Sequence, residues 1–196
     1  RADLGGKVVV QLTNDPEGVR QPRQTEDGTL GYLALRWKRV MEEYQRLSIE
    51  ERLARKGTLD RVDLILVRTG RPQAVVRDTV ISDYAISPAG DAVAYGTIGK
   101  LVVVYPDGGT AREFSFERID KRLTNTHAIE SLAWRPDGRA LVFRAHFGGG
   151  RAEHSPGSVF GERECFVLPL SGQPRHLEVE ATASVDWLRA ETGEVP

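Results

Sequence analysis

Apolar residues in this chain fall in short runs broken by Gly and Pro, the pattern of strands joined by tight turns. Two stretches match without gaps: Tyr84-Ala-Ile-Ser-Pro-Ala-Gly-Asp-Ala-Val-Ala-Tyr95 and Leu132-Ala-Trp-Arg-Pro-Asp-Gly-Arg-Ala-Leu-Val-Phe143. Each reads as an apolar strand, a Pro-x-Gly turn and a second apolar strand. Gln24-Thr-Glu-Asp-Gly-Thr-Leu-Gly-Tyr-Leu-Ala-Leu35 is a weaker copy that keeps the Asp-Gly turn and the closing strand. Two more strand-like runs follow each copy: 62–68 and 73–77 after the first, 100–105 and 111–116 after the second, 164–170 and 175–179 after the third. Every unit therefore reads as four strands, A to D, with Gly-rich or Pro-rich A–B and C–D hairpins.

Four-stranded antiparallel units repeating every ~40 to 60 residues predict an all-β chain of propeller blades. The expected blades span about 20–79, 80–117 and 127–180. Val8–Leu12 reads as the last strand of a preceding blade and Ser184–Leu188 as the first strand of a following one. Closed propellers use about 4 to 8 blades. The expectation is therefore a segment of a larger propeller, or an open arc whose strand edges something must cover. The opening Arg1-Ala2-Asp3-Leu4, without Met or an apolar signal segment, adds the expectation that this start reflects processing or incomplete coverage.

Two blades carry insertions between strands B and C. In the first, covering 36–57, Trp37, Val40, Met41, Tyr44 and Leu47 recur at helical spacing. Ser48-Ile-Glu-Glu51 has the spacing of a capping box, so a second short helix is expected to start there and to stop at Gly57. The stretch Arg36–Lys56 holds seven basic and four acidic residues, a modestly positive element. The second insertion, 145–163, is rich in Gly, His, Ser and Pro and reads as an irregular loop. In a propeller the B–C and D–A connections share one face, so both insertions decorate the face that also carries 13–19 and 117–126. That face is expected to contact a partner through Trp37, Val40, Met41, Tyr44 and Leu47, flanked by Arg39 and Arg46. Trp37 is the natural anchor if the blade leaves it uncovered. The alternative is that the helices only cap the blade.

Charge removes some function classes. Lys plus Arg (27) balance Asp plus Glu (28) for a net charge of −1, so no global field favours nucleic acid or anionic membrane. No apolar run is long enough to span a bilayer as a helix. Cys165 stands alone, which excludes an internal disulfide and multi-cysteine metal sites. It falls on a strand beside Phe166 and reads as a small buried residue.

His127, His146 and His154 fall in expected loops, where Glu153 or Glu162 would complete a metal site, but no HxH or HExxH spacing supports one. His176 reads as structural. In Gly157-Ser-Val-Phe-Gly161 the serine is misplaced for a nucleophile elbow, and Gly148-Gly-Gly150 lacks the Lys-Ser/Thr of a phosphate loop. The expectation is no catalytic residue, no metal and no cofactor. Trp134 and Trp187 take equivalent strand-A positions and read as fillers between blades.

Gln11-Leu-Thr-Asn-Asp-Pro16, Gln21-Pro22 and Glu26-Asp-Gly28, with the turns Ser87-Pro-Ala-Gly90 and Arg135-Pro-Asp-Gly138, resemble the repeat of TolB-type (PD40, WD40-like) propellers. Prolyl-oligopeptidase-like serine peptidases and tricorn-type proteases use the same repeat. The resemblance implies the fold, and one fold hosts many functions. With no catalytic constellation and a decorated face, the leading expectation is a non-catalytic scaffold that binds a protein partner or the remainder of a larger propeller. The resemblance implies a periplasmic or cell-envelope setting, with a cytoplasmic one left open, and peripheral association as an accessory subunit of a membrane-associated complex. The alternative is the substrate-gating propeller of a serine peptidase whose catalytic domain is not among these residues. The long charged B–C insertion suits the peptidases better than the compact TolB blades.

Overall fold

The computed structural model describes residues 2–4, 7–9, 13–54, 61–121, 123, 126–147, 163–172 and 175–177. The chain divides into two compact units. One comprises Arg1–Gln24 with Leu30–Thr79, the other Thr25–Thr29 with Val80–Pro196.

The first unit opens with a hairpin of β1 (Ala2–Leu4) and β2 (Lys7–Val9). The strand read at Val8–Leu12 is thus found at Lys7–Val9, and residues 10–12 lie outside the described ones. A four-stranded antiparallel sheet follows in the order β3 (Val19–Gln24), β4 (Leu30–Leu35), β5 (Arg61–Arg68), β6 (Arg71–Val80). The two central strands are near-continuous apolar runs and are buried along most of their length, as strands covered on both faces must be. Leu30, Tyr32, Ala34 and Ile65 form a core cluster, with Val19, Val67 and Ala74 packed at its edge. Between β4 and β5 the chain leaves the sheet to form α1 (Trp37–Arg46) and α2 (Ile49–Ala54).

The second unit holds two such sheets. β7 (Asp83–Ile86), β8 (Val93–Thr97), β9 (Lys100–Tyr105) and β10 (Gly109–Ser115) form one. A short helix α3 (Phe116–Ile119) leads to the other, built from β11 (Thr126–Trp134), β12 (Ala140–Phe147), β13 (Arg163–Pro169) and β14 (Arg175–Leu177). The matched turns are the same structure. The Ser87 N–H donates to the Ala92 carbonyl at 2.8 Å and Gly90 N–H to Ser87; Arg135 N–H donates to Ala140 at 2.9 Å and Gly138 N–H to Arg135.

One continuous core joins these two sheets, running from Ala85, Ala94 and Val103 to Leu132, Trp134, Phe143 and Phe166. Phe143 and Phe166 stack with ring centroids 5.4 Å apart. Trp134 fills the space between the sheets, as its strand position predicts, and its indole N–H donates to the Ala85 carbonyl at 3.0 Å. The buried Asp83 stitches the same seam, because its carboxylate accepts the Leu132 N–H at 2.8 Å. Gly96 is required there: a Cβ would stand 2.8 Å from that of Ile129.

Two sequence expectations are corrected here. β12 runs on through Phe147, so residues 145–147 are strand rather than loop, and His146 lies in that strand. His127 lies in β11 rather than in a connecting loop. Backbone pairing outweighs the polar composition at both strand ends. His154, Gly148–Gly150, Gly157–Gly161, Trp187 and Ser184–Leu188 lie outside the described residues.

Candidate functional site

The inserted helix α1 is anchored to its sheet mainly by charge. Val40 is its one buried residue. Asp63, a carboxylate in the otherwise apolar run of β5, has a side chain only 9% exposed. Its Oδ2 accepts the Arg36 Nε–H at 2.8 Å. Its Oδ1 accepts the Asp78 backbone N–H at 2.9 Å and lies 3.5 Å from the Arg39 guanidinium. Arg39 reaches on to Asp78 at 3.0 Å, and Asp78 pairs with Arg61 at 3.1 Å. Arg36 also takes both oxygens of Asp15 at 3.0 Å, so the 13–18 loop joins the same network.

Burial alone would push the Asp63 carboxyl up. The Asp78 N–H and the Arg36 and Arg39 guanidinium groups outweigh that and hold it below the ordinary 3.8. Burial likewise works against the Arg36 charge, and its bonds to Asp15 and Asp63 more than compensate. Asp78 sits in the left-handed region (φ 50°), a conformation few non-glycine residues adopt outside tightly held sites.

Both ends of α1 are closed from outside the helix. It has no side-chain N-cap and no acidic residue in its first turn. Instead Glu17, from the 13–18 loop, accepts the Lys38 N–H at 2.7 Å, which satisfies an orphan donor and places a negative charge at the positive helix end. At the other end Arg52 of α2 donates to the Tyr44 and Gln45 carbonyls at 3.0 and 2.8 Å, and its guanidinium lies 5.1 Å from the Tyr44 ring centroid. α2 itself starts with the capping box read from the sequence. The Ser48 N–H donates to Glu51, and the Glu51 N–H to the Ser48 hydroxyl at 3.2 Å.

Anchored this way, α1 splits the apolar stripe seen in the sequence. Val40 turns inward, and Tyr44 and Leu47 are half-buried. Trp37 and Met41, one turn apart, remain 49% and 38% exposed. Arg46 is exposed in the last turn, whereas Arg39 is drawn into the Asp63–Asp78 network. The sequence reading missed Asp15, Glu17, Asp63 and Asp78. A lone carboxylate inside the run Val62–Val67 was the available signal, since Asp is rarely buried unless paired.

Other candidate chemistry is sparse. Cys165 is buried on β13, and burial pushes its thiol up despite the nearby Arg144, which disfavours a nucleophilic thiolate. Among the described residues no three His, Cys, Asp or Glu side chains gather to hold a metal. No described helix is long and apolar enough to cross a membrane.

No family model matches the sequence, and no curated protein matches it. Among solved structures the chain is similar to TolB from Acinetobacter baumannii, with a TM-score of 0.51 at 13% identity, over 86% of this chain and 34% of that one. It is similar to the same degree to Pyrococcus horikoshii acylaminoacyl peptidase, with a TM-score of 0.51 at 13% identity, over 81% of this chain and 24% of that one. The β-propeller domain of the trilobed protease from Pyrococcus furiosus is a more distant likeness, with a TM-score of 0.39 at 11% identity, over 81% of this chain and 56% of that one. The chain therefore spans a minor part of the first two proteins. The fold is that of TolB-like β-propeller blades, each a four-stranded antiparallel sheet, with a helical insertion in the first.

Proposed function

We propose that these blades form a non-catalytic scaffold whose inserted helix α1 binds a protein partner. The observation that carries this reading is the exposed pair Trp37 and Met41 on a helix fixed at both ends and along its inner side. Large apolar side chains on a rigid element lose little conformational entropy on binding, and aromatic anchors dominate interface energetics. Arg46 and Lys38 supply a polar rim, while Arg39 acts as a tether. Resemblance to TolB-type propellers supports a periplasmic or cell-envelope setting for this scaffold, as an accessory subunit of a membrane-associated complex.

The test compares the native polypeptide with a Trp37→Ala/Met41→Ala double variant and with a deletion of residues 36–56 in quantitative pull-down. Loss of the same partners in both, with blade secondary structure intact, supports the reading. Capture of the same partners at equal strength overturns it.

A second reading follows from the equal likeness to an acylaminoacyl peptidase: the blades gate substrate entry to a serine-peptidase domain. The mass and full sequence of the native polypeptide carrying these residues separate the two. A peptidase requires a Gly-x-Ser-x-Gly elbow with its Asp and His elsewhere in that polypeptide.

A further inference from the structure

Between the two matched turns of the second unit lies a cleft of about 330 Å³, the low end of the size range of small-ligand sites. Its wall is mixed: Tyr105, Trp134, Leu170 and a proline from each turn, Pro88 and Pro136, supply the apolar part, and Ser87, Asp91 and Asp137 the polar part. The Tyr105 side chain lies close over its cross-strand neighbour Gly109, where a Cβ would come within 2.7 Å of the tyrosine Cβ. The Trp134 N–H is already used within the core, so that residue offers the cleft only ring surface.

Two carboxylates stand in this wall, and they differ. Asp137 is occupied, pairing with Arg135 at 3.2 Å and accepting the Arg139 N–H at 2.9 Å. Asp91 accepts the Ser87 hydroxyl at 2.7 Å through Oδ1, and no cation pairs with it among the described residues. The Ser87 hydroxyl also accepts the Ala92 N–H at 3.0 Å, so its bonding orients Asp91 and leaves little for a ligand. A carboxylate oxygen in a cleft that aromatic residues also line is suited to a cation on an apolar stem, which gains a charge-assisted hydrogen bond at its head and apolar contact along its stem.

We propose that this cleft binds a basic side chain, an arginine, with its guanidinium at Asp91 and its stem along Tyr105 and Trp134. This site is separate from α1 and does not depend on the scaffold reading.

The probe is acetyl-arginine methylamide, with the isosteric but neutral acetyl-citrulline methylamide as its control. Both are measured by saturation-transfer NMR on the native polypeptide. The expected result is arginine binding on the order of millimolar, with citrulline about tenfold weaker. Asp91→Asn keeps an acceptor for Ser87 and should abolish the arginine preference. Tyr105→Leu should weaken arginine binding while the sheet stays folded. Equal transfer to arginine and citrulline, no transfer at about 10 mM, or an undiminished preference in Asp91→Asn would each overturn the proposal.

Discussion

The two units of this chain are held together by different physics. In the second, stacked apolar side chains join consecutive blades, and polar groups such as Asp83 only stitch the seam. In the first, the central strands are apolar, but the inserted helix is attached by one nearly buried carboxylate serving two arginines and a backbone N–H. Apolar stacking is tolerant of exact geometry, whereas a buried charge is tolerable only while its partners stay in place. Apolar stacking joins blades. The charge network fixes one helix against a blade with Trp37 and Met41 exposed.

Substitutions can break either arrangement. The largest effect should come from Phe143→Ala, which removes a fully buried ring stacked on Phe166. A loss of about 4 kcal/mol is expected, read as a lower denaturant midpoint with lost exchange protection in β11–β13. Asp63→Ala should cost about 2 kcal/mol, because it leaves the Arg36 Nε–H and the Asp78 backbone N–H without their acceptor. Its distinguishing sign is faster hydrogen exchange in α1, with β7–β13 unchanged.

Acid should reproduce part of that effect. The folded pKa of Asp63 lies below its unfolded value of 3.8. Its contribution is therefore fully present above that value and is lost as pH falls through the folded one. Exchange protection of α1 should hold from neutral pH down to about pH 4 and fall below it, and Asp63→Asn should reduce that acid dependence, with Asp15, Glu17 and Asp78 supplying the remainder. A smaller loss, about 1 kcal/mol, is expected from Ser48→Ala through the capping box of α2. Trp37→Ala should change stability by less than about 0.5 kcal/mol, as befits an exposed residue. A large destabilisation there would mean that Trp37 packs the fold rather than a partner.

What the sequence disclosed divides along the same line. The Pro-x-Gly turns, the helical spacing after Arg36, the Ser48–Glu51 box and the position of Trp134 are local or repeated patterns, and all are legible without a structure. The Asp63 network is neither. Asp15, Arg36, Arg39, Asp63 and Asp78 come from a loop, a helix and two strands, and no periodicity links them. Helical spacing could place Trp37, Val40 and Met41 on one helix, yet it could not tell which would face the blade. That choice follows from where Asp63 and Glu17 hold the helix. The strand character of His127 and His146 was hidden for a related reason, since polar residues at strand ends look like loop.

The most direct test of the scaffold reading uses a photoreactive residue at position 37 of the native polypeptide in its own cells, with position 98 as the control. Ile98 is 74% exposed, in the turn between β8 and β9, and so is an apolar site more accessible than Trp37 and with no proposed partner. A discrete cross-linked protein at position 37, absent at position 98 and competed by the unmodified polypeptide, is the predicted result. No adduct at position 37, or the same adducts at both positions, would contradict a partner-binding role for α1.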